Sequence, residues 1–416
     1  MIDVTTRSNV RSERLFVARV LGASALVVMV IPVDFVRVDQ LWRYVTLAGL
    51  VIGVVLAVYV IARSDTAVVK PALAFGFAVM AFNQLMNFNP IGFLTLLAPV
   101  VIGAALATIV RSALAVVIGL SILLAVAMAT EFVLQQHLFG QLFGSENYVA
   151  YASDTFRARG LIGQAVPAAM IAVGLGSAGL ALTAPLDRNR GAARWTITVS
   201  TAVSVLASGT RSAILCAVAL ALLCGSISLY RNKTRRLSIG REFAWAGPLL
   251  LAVGVVATTF WWTVLSNQRV FSFTTLSGSA SLDNRNYAAL VFDNWEDTCN
   301  GACVVFGSGA RSLLQALAGG LGFRGFTTVD NLFLSLLWDF GAVMLAGLAV
   351  LLVVAVRVLI LAPSATNRAG ALVVVSILLS GLFYDALYIR PTLLLFGFGI
   401  GLLGLRAGSK GGSTDG

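Results

Sequence analysis

Apolar runs of about 17–25 residues recur along the chain from Leu15 to Leu405, and the segments between them hold most of the charge. Each run is long enough to cross the hydrocarbon core of a bilayer as a helix. The pattern predicts an all-α, polytopic membrane protein of about twelve transmembrane helices, at 15–33, 44–62, 71–88, 91–110, 112–134, 160–184, 195–209, 212–230, 245–265, 329–356, 369–387 and 391–406. The stretch 195–230 reads either as one overlong helix or as two spans joined by Ser208-Gly209-Thr210-Arg211. One helix would hold Arg211 in mid-membrane, which is costly. It would also put Arg188, Arg190 and Arg194 on the opposite side from Arg231, Lys233, Arg235, Arg236 and Arg241. Two spans put both basic clusters on one side, and that reading is adopted.

Two connecting segments, 135–159 and 266–328, are too long to be turns. The second carries helix signals: Asp283 can cap a helix containing Arg285, Tyr287, Leu290 and Trp295, and an apolar stretch from Ser312 to Leu317 follows Gly307-Ser308-Gly309. The chain thus divides into nine spans over 1–265, a helical extracytoplasmic cap over 266–328 between spans nine and ten, three spans over 329–406, and a Gly/Ser-rich disordered cytoplasmic tail over 407–416. No internal repeat is visible.

Composition agrees with hydropathy. Of 416 residues, 58% are apolar and 11% charged, against about 25% charged in soluble domains. The net charge of +11 does not point to nucleic acid, because the basic residues sit in short loops between apolar runs instead of on one soluble face. With both termini inside, the inner face collects 19 basic and 6 acidic residues and the outer face 10 basic and 12 acidic. All three lysines (Lys70, Lys233 and Lys410) fall inside. This is the distribution of a multi-pass membrane protein with cytoplasmic termini. Arg7, Arg11 and Arg14 before a run ending near Val33 read as an uncleaved first span.

Several chemistries are missing from the sequence. No GxxxxGK[ST] loop is present, no Asp-x-Asp pair, and only one histidine, His137, which reads as a loop residue. No metal or cofactor is expected. What remains is arginine and carboxylate at the outer interface. Arg157 and Arg159 precede span six, Arg211 sits at the turn between spans seven and eight, Arg285 lies in the cap, and Arg390 follows span eleven. Outer arginines oppose the insertion bias, and the guanidinium fork suits phosphate; interfacial anchoring is the alternative. Asp330 precedes Asn331 at the start of span ten, where it is a candidate base and also a candidate helix N-cap. Asp339, nine residues on, falls within the span and reads as a structural hydrogen-bonding group or a functional carboxylate. Asp385 stands at the outer end of span eleven, Glu131 at that of span five, and Asn83, Gln84 and Asn87 give span three a polar end. Cys299 and Cys303 lie outside at a spacing that a turn can close into a disulfide.

Over about 195–345, these residues make the chain resemble the O-antigen ligase/O-antigen polymerase family of bacterial membrane glycosyltransferases. The turn Leu206-Ala207-Ser208-Gly209-Thr210-Arg211-Ser212-Ala213 is similar to the family's small-residue turn ending in Arg. Arg285 followed by Val305-Phe306-Gly307-Ser308-Gly309 resembles its large outer loop. Asp330-Asn331-Leu332-Phe333-Leu334, with Trp338-Asp339-Phe340-Gly341 after it, resembles its His-Asn segment leading to an acidic-x-Gly stretch, with Asp330 standing where many members carry His. The resemblance implies a metal-independent, inverting transfer from a polyprenyl-pyrophosphate-linked oligosaccharide donor to an acceptor glycan at the outer membrane face, alongside other envelope-polysaccharide assembly proteins. Within it, Asp330 takes the role of base and Arg211 and Arg285 those of pyrophosphate ligands. Arg157, Arg159, Asp385 and Asn331 position donor or acceptor. The alternatives are a lipid-linked-glycan flippase, which would favour broken helices and repeats, and a peptidoglycan-polymerase-like transferase.

Overall fold

The computed structural model describes residues 40–63, 69–86, 89–110, 112–138, 156–183, 191–235, 301–317, 329–362 and 364–405, with short pieces at Val17, 20–22, Phe292, Trp295 and Cys299. Most of the first predicted span, the span at 245–265, the cap residues 266–291 including Arg285, and the tail from Arg406 lie outside the described residues, as does Asn87.

Within them the protein is built of helices: α1 (Gln40–Arg63), α2 (Val69–Met86), α3 (Pro90–Ile109), α4 (Ala113–Leu134), α5 (Ala165–Thr183), α6 (Gly191–Ser208), α7 (Arg211–Arg235), α8 (Gly301–Phe306), α9 (Ser312–Ala316), α10 (Leu332–Leu361), α11 (Ala365–Ser380) and α12 (Arg390–Leu403). Single turns of 3-10 helix precede α5 and α12. Four helices, α3, α4, α5 and α10, are long and apolar enough to cross a membrane, α10 running to 30 residues. A helix satisfies its own backbone polar groups, which is why long apolar runs take this form in lipid. The two-span reading of 195–230 agrees with the break between α6 and α7, where Gly209 takes a left-handed conformation.

The centre of the bundle is α12, whose residues from Arg390 to Leu403 are all buried. It packs on α3 and α11, and α11 in turn on α5 and α10. Small residues bring the axes close: a methyl group at Gly103 would strike the Leu394 carbonyl, and one at Gly397 the Val100 carbonyl. Outside this core, Val51, Val55 and Val58 of α1, Leu123 and Val126 of α4, and Val350 and Val353 of α10 are exposed. So apolar a surface suits lipid and not water.

The helix connections alternate between two ends of the bundle. One end gathers the α2–α3, α4–α5, α6–α7 and α11–α12 junctions, residues 301–317 and the start of α10. It also holds most of the described candidate residues and is called the site end below.

Candidate functional site

The organising feature of the site end is a break in α10. Gly341 has φ 71° and ψ −175° within an otherwise helical run, a conformation open to glycine and strained for other residues. The carbonyls just before the break are taken from outside the helix. Ser308 N donates to Trp338 O (2.7 Å) and Gly309 N to Asp339 O (3.0 Å). Asn83 of α2 bridges the two segments, its Nδ2 donating to Asp339 O (2.8 Å) and to Phe306 O (3.1 Å). The segments touch main chain to main chain. A side chain at Gly307 (φ 82°) would strike the Asp339 carbonyl, and one at Gly341 the Val305 carbonyl.

Asp339 completes the junction. Fully buried, its carboxylate accepts from Arg311 N (2.8 Å), Leu313 N (3.0 Å), Ser312 Oγ (3.1 Å) and Tyr388 Oη (2.5 Å). It therefore anchors the first turn of α9 to α10, and of its two sequence readings the structural one fits. Asn89, the N-cap of α3, donates to Ala310 O (3.1 Å) and so ties a third helix to the same segment. The Trp295 ring stacks on Trp338 at 5.3 Å and its Nε1 donates to Ser308 Oγ (2.9 Å). Cys299 and Cys303 are joined in a disulfide beside them, Cα–Cα 5.7 Å.

At the start of α10 one expectation is corrected. The N-cap is Asn331, whose Oδ1 accepts from Phe333 N (3.0 Å) and Leu334 N (3.3 Å), and not Asp330. Asp330, half-buried, takes φ 51° just outside the helix. Asp385, brought from the α11–α12 junction, lies within electrostatic range of it. Asp385 is 8% exposed and accepts from Ser335 Oγ at 2.6 Å. Burial pushes its carboxyl up to about 7 against the pull of the Ser335 hydrogen bond, and the charge of Asp330 adds to the rise. Tyr388, held well above its ordinary range by burial and the Asp339 carboxylate, stays a donor and also reaches Ser335 O (3.2 Å). Ser335, Asp385 and Tyr388 line one side of a cavity of about 10 Å³, closed by Leu313, Leu317 and Val329. Its volume matches a single water.

A second cluster surrounds the α6–α7 turn. Arg157 Nε donates to Ser208 O and its Nη2 to Thr210 Oγ1, both at 3.0 Å, and Ala158 N donates to Ala207 O (3.0 Å). Arg211 opens α7 at this turn, directly after Thr210, to which Arg157 is bonded. Arg159 is held by its backbone: Glu131, fully buried, accepts from Arg159 N and Gly160 N, both at 2.7 Å. Glu131 stands in the last turn of α4 and pins the lead-in to α5. His137 stacks on Phe156 (4.6 Å) with its Nδ1 3.9 Å from Glu131; burial and the nearby Arg159 lower its pKa. Tyr384, next to Asp385, lies in electrostatic range of Cys216 of α7, five residues from Arg211 and so about 7.5 Å along the helix. The two clusters share the site end.

Arg311 and Arg390 are the functional candidates that sequence reasoning underrated. Arg311 takes φ 62°, its backbone N donates to Asp339, and its buried Nε meets no acceptor among the described residues. Arg390 is among the outer arginines singled out in the sequence and Arg311 is not; the bond that holds Arg311 comes from Asp339 of α10. Among the described residues no group of three or more His, Cys, Asp or Glu side chains is arranged to hold a metal ion. No model of a known protein family matches the sequence, and no curated protein matches it either.

Proposed function

We propose that this protein transfers a polyprenyl-pyrophosphate-linked oligosaccharide to an acceptor glycan at the outer face of the bacterial cytoplasmic membrane, as a twelve-span glycosyltransferase of the O-antigen ligase/polymerase type with both termini inside. The observation that supports this reading is the pairing of Asp330 and Asp385. Residues 55 positions apart in sequence share one electrostatic environment at the end where the arginines gather. Helix capping is left to Asn331, and the half-buried Asp330 is the member open to an acceptor.

Transfer asks three things of such a site. The acceptor oxygen bonds to the anomeric carbon and its proton passes to a carboxylate, for which Asp330 is the base and Asp385 its neighbour. The bond from that carbon to the pyrophosphate oxygen breaks, and its electron pair leaves with the pyrophosphate. Arg211, and Arg285 in the cap, would meet that charge as it develops. Arg157, bonded to the turn that carries Arg211, fixes the turn's shape; Arg159 and Asn331 stand beside these elements. A single in-line displacement inverts the anomeric centre.

The break at Gly341 favours a second reading, a lipid-linked-glycan transporter, because transporters build their sites on interrupted helices. The carboxylate pair lies at the helix ends and not at the break, which favours transfer. The deciding experiment is transfer by purified protein from a polyprenyl-pyrophosphate donor. Asp330→Asn should abolish turnover while donor binding persists, and Arg211→Lys should lower turnover roughly 10²-fold, as expected for one lost transition-state ligand. Near-normal turnover in both variants would sink the site assignment. Donor translocation into vesicles without any transfer would establish the transporter instead.

A further inference from the structure

A short strap, residues 157–160, runs between the end of α4 and the turn that presents Arg211. On one side it is held by α4. Arg159 N and Gly160 N both donate to Glu131 Oε2 at 2.7 Å, and a methyl group at Gly160 would press on Met128 Cγ at 2.8 Å. On the other side it holds the α6–α7 turn. Ala158 N donates to Ala207 O, Arg157 Nε to Ser208 O and Arg157 Nη2 to Thr210 Oγ1, each at 3.0 Å. Each of the four strap residues is thus bonded to one neighbour or the other.

The turn is left-handed at Gly209, φ 61°. Gly209 N donates to Leu206 O (3.1 Å) and Thr210 N to Ser208 Oγ (3.2 Å). Arg211 follows as the first residue of α7, so the direction in which its side chain leaves is inherited from this main chain. Glu131, at the other end of the chain of contacts, is fully buried. A carboxylate away from water is costly unless donors meet it, and here main-chain N–H groups of the strap do so. The His137 ring covers the same carboxylate, its Nδ1 3.9 Å from Oε2, and stacks on Phe156 just ahead of the strap. An apolar side chain in place of Glu131 would fill the space without the desolvation cost, but it could not fix the strap.

We propose that Glu131 is a positioning residue for Arg211: by fixing the strap from the end of α4, it sets the α6–α7 turn and with it the reach of the guanidinium. The inference rests on the role given to Arg211 in glycan transfer. Glu131 acts through the main chain and not on the substrate. Misplacing a reacting or charge-stabilising group by about 1 Å costs on the order of 10²-fold in rate, so a brace at this distance is felt at the site.

The test uses the full-length protein in nanodiscs with two independent readouts, amide exchange and turnover from a polyprenyl-pyrophosphate donor. Glu131→Ala should speed exchange at Gly209 and Thr210 about tenfold, although the strap stands between them and Glu131, and leave α12 at the wild-type rate. Its kcat should fall about tenfold to a hundredfold with the donor KM little changed, the pattern of a lost transition-state interaction. Glu131→Gln keeps a side-chain oxygen for the two N–H groups and should recover most of that loss. Once the fork of Arg211 is gone its placement no longer matters, so Glu131→Ala combined with Arg211→Lys should turn over within about threefold of Arg211→Lys alone. A merely structural carboxylate would make the two losses multiply and would speed exchange in α12 as well; either result overturns the proposal. So does a strap that loosens while the turn keeps its protection. If Glu131→Ala does not accumulate, Gly160→Ala loosens the strap by another route, straining φ 53° and pressing on Met128. It should give the same exchange pattern, and wild-type exchange at the turn would count against the brace. If wild type transfers no glycan, the transfer reading fails, and the exchange pattern alone decides whether Glu131 sets the turn of Arg211.

Discussion

At the end of the bundle away from the site, three side chains among the described residues close helices. Lys70 donates to Ala62 O (3.0 Å), Arg194 to Thr183 O (2.7 Å), and Asn367 to Leu403 O (3.2 Å) and Leu405 O (2.9 Å). These are cations and amides on terminal carbonyls, the ordinary treatment of helix C-termini. At the site end the opposite need, that of backbone N–H groups for acceptors, is met by buried acids. Glu131, Asp339 and Asp385 all lie there, together with every described residue of positive φ, among them Gln135, Arg311, Asp330, Gly307 and Gly341. The difference shows where the fold tolerates cost. One end is built for anchoring; the other carries strain and desolvated charge because surrounding contacts over-determine them.

The comparison breaks most sharply at the glycines. Gly307→Ala or Gly341→Ala forces a methyl into a neighbouring main chain and should cost about 4 kcal/mol or more, or prevent accumulation. Gly191→Ala, at the far end where nothing lies within 4 Å, should stay within about 0.5 kcal/mol of wild type. Equal melting temperatures for Gly191 and Gly307 variants in detergent would erase the distinction between the ends. Next in size is Asp339→Asn, which removes the charge from four hydrogen bonds and turns an NH₂ group toward donors. A loss of about 2–4 kcal/mol is expected, with faster amide exchange at Arg311 and Leu313 as the local sign.

Asp385 sharpens the contrast through pH. Its folded pKa is raised to about 7 from 3.8, so the native state holds a proton that the unfolded chain has already released. Its contribution to stability is full below pH 3.8 and is lost as pH climbs through about 7. Melting temperatures of Asp385→Asn should therefore fall less than those of wild type across this window; parallel curves would show that Asp385 titrates normally. The smallest effect belongs to the far end: Lys70→Ala, on an exposed contact, should change stability by less than about 0.5 kcal/mol.

Much of this was legible in the chain. Long apolar runs fix helices wherever they occur, and the penalty on a mid-membrane charge separates α6 from α7 at Arg211. The identity of a cap is harder, since Asp330 and Asn331 are equally good capping residues one position apart. The break in α10 was not readable, because Gly341 in an apolar run looks like any helical glycine. What forces it is the backbone of Val305–Gly307 and the amide of Asn83, which is 256 positions from Asp339. A shorter separation was enough to hide Arg311, whose backbone partner Asp339 lies 28 positions on in α10.

The interrupted helix also sets an order of assembly. Asn83 leaves the ribosome long before Trp338 and Asp339, and Ser308 and Gly309 shortly before them. When the two carbonyls ahead of Gly341 enter the membrane, all their donors have already been synthesised, and α10 does not have to sit in lipid with exposed main-chain acceptors while later helices are made. A circular permutant that moves α2 behind α10 keeps every final contact and reverses that schedule. It should stall as a substrate for membrane proteolysis even though its finished structure would be the same.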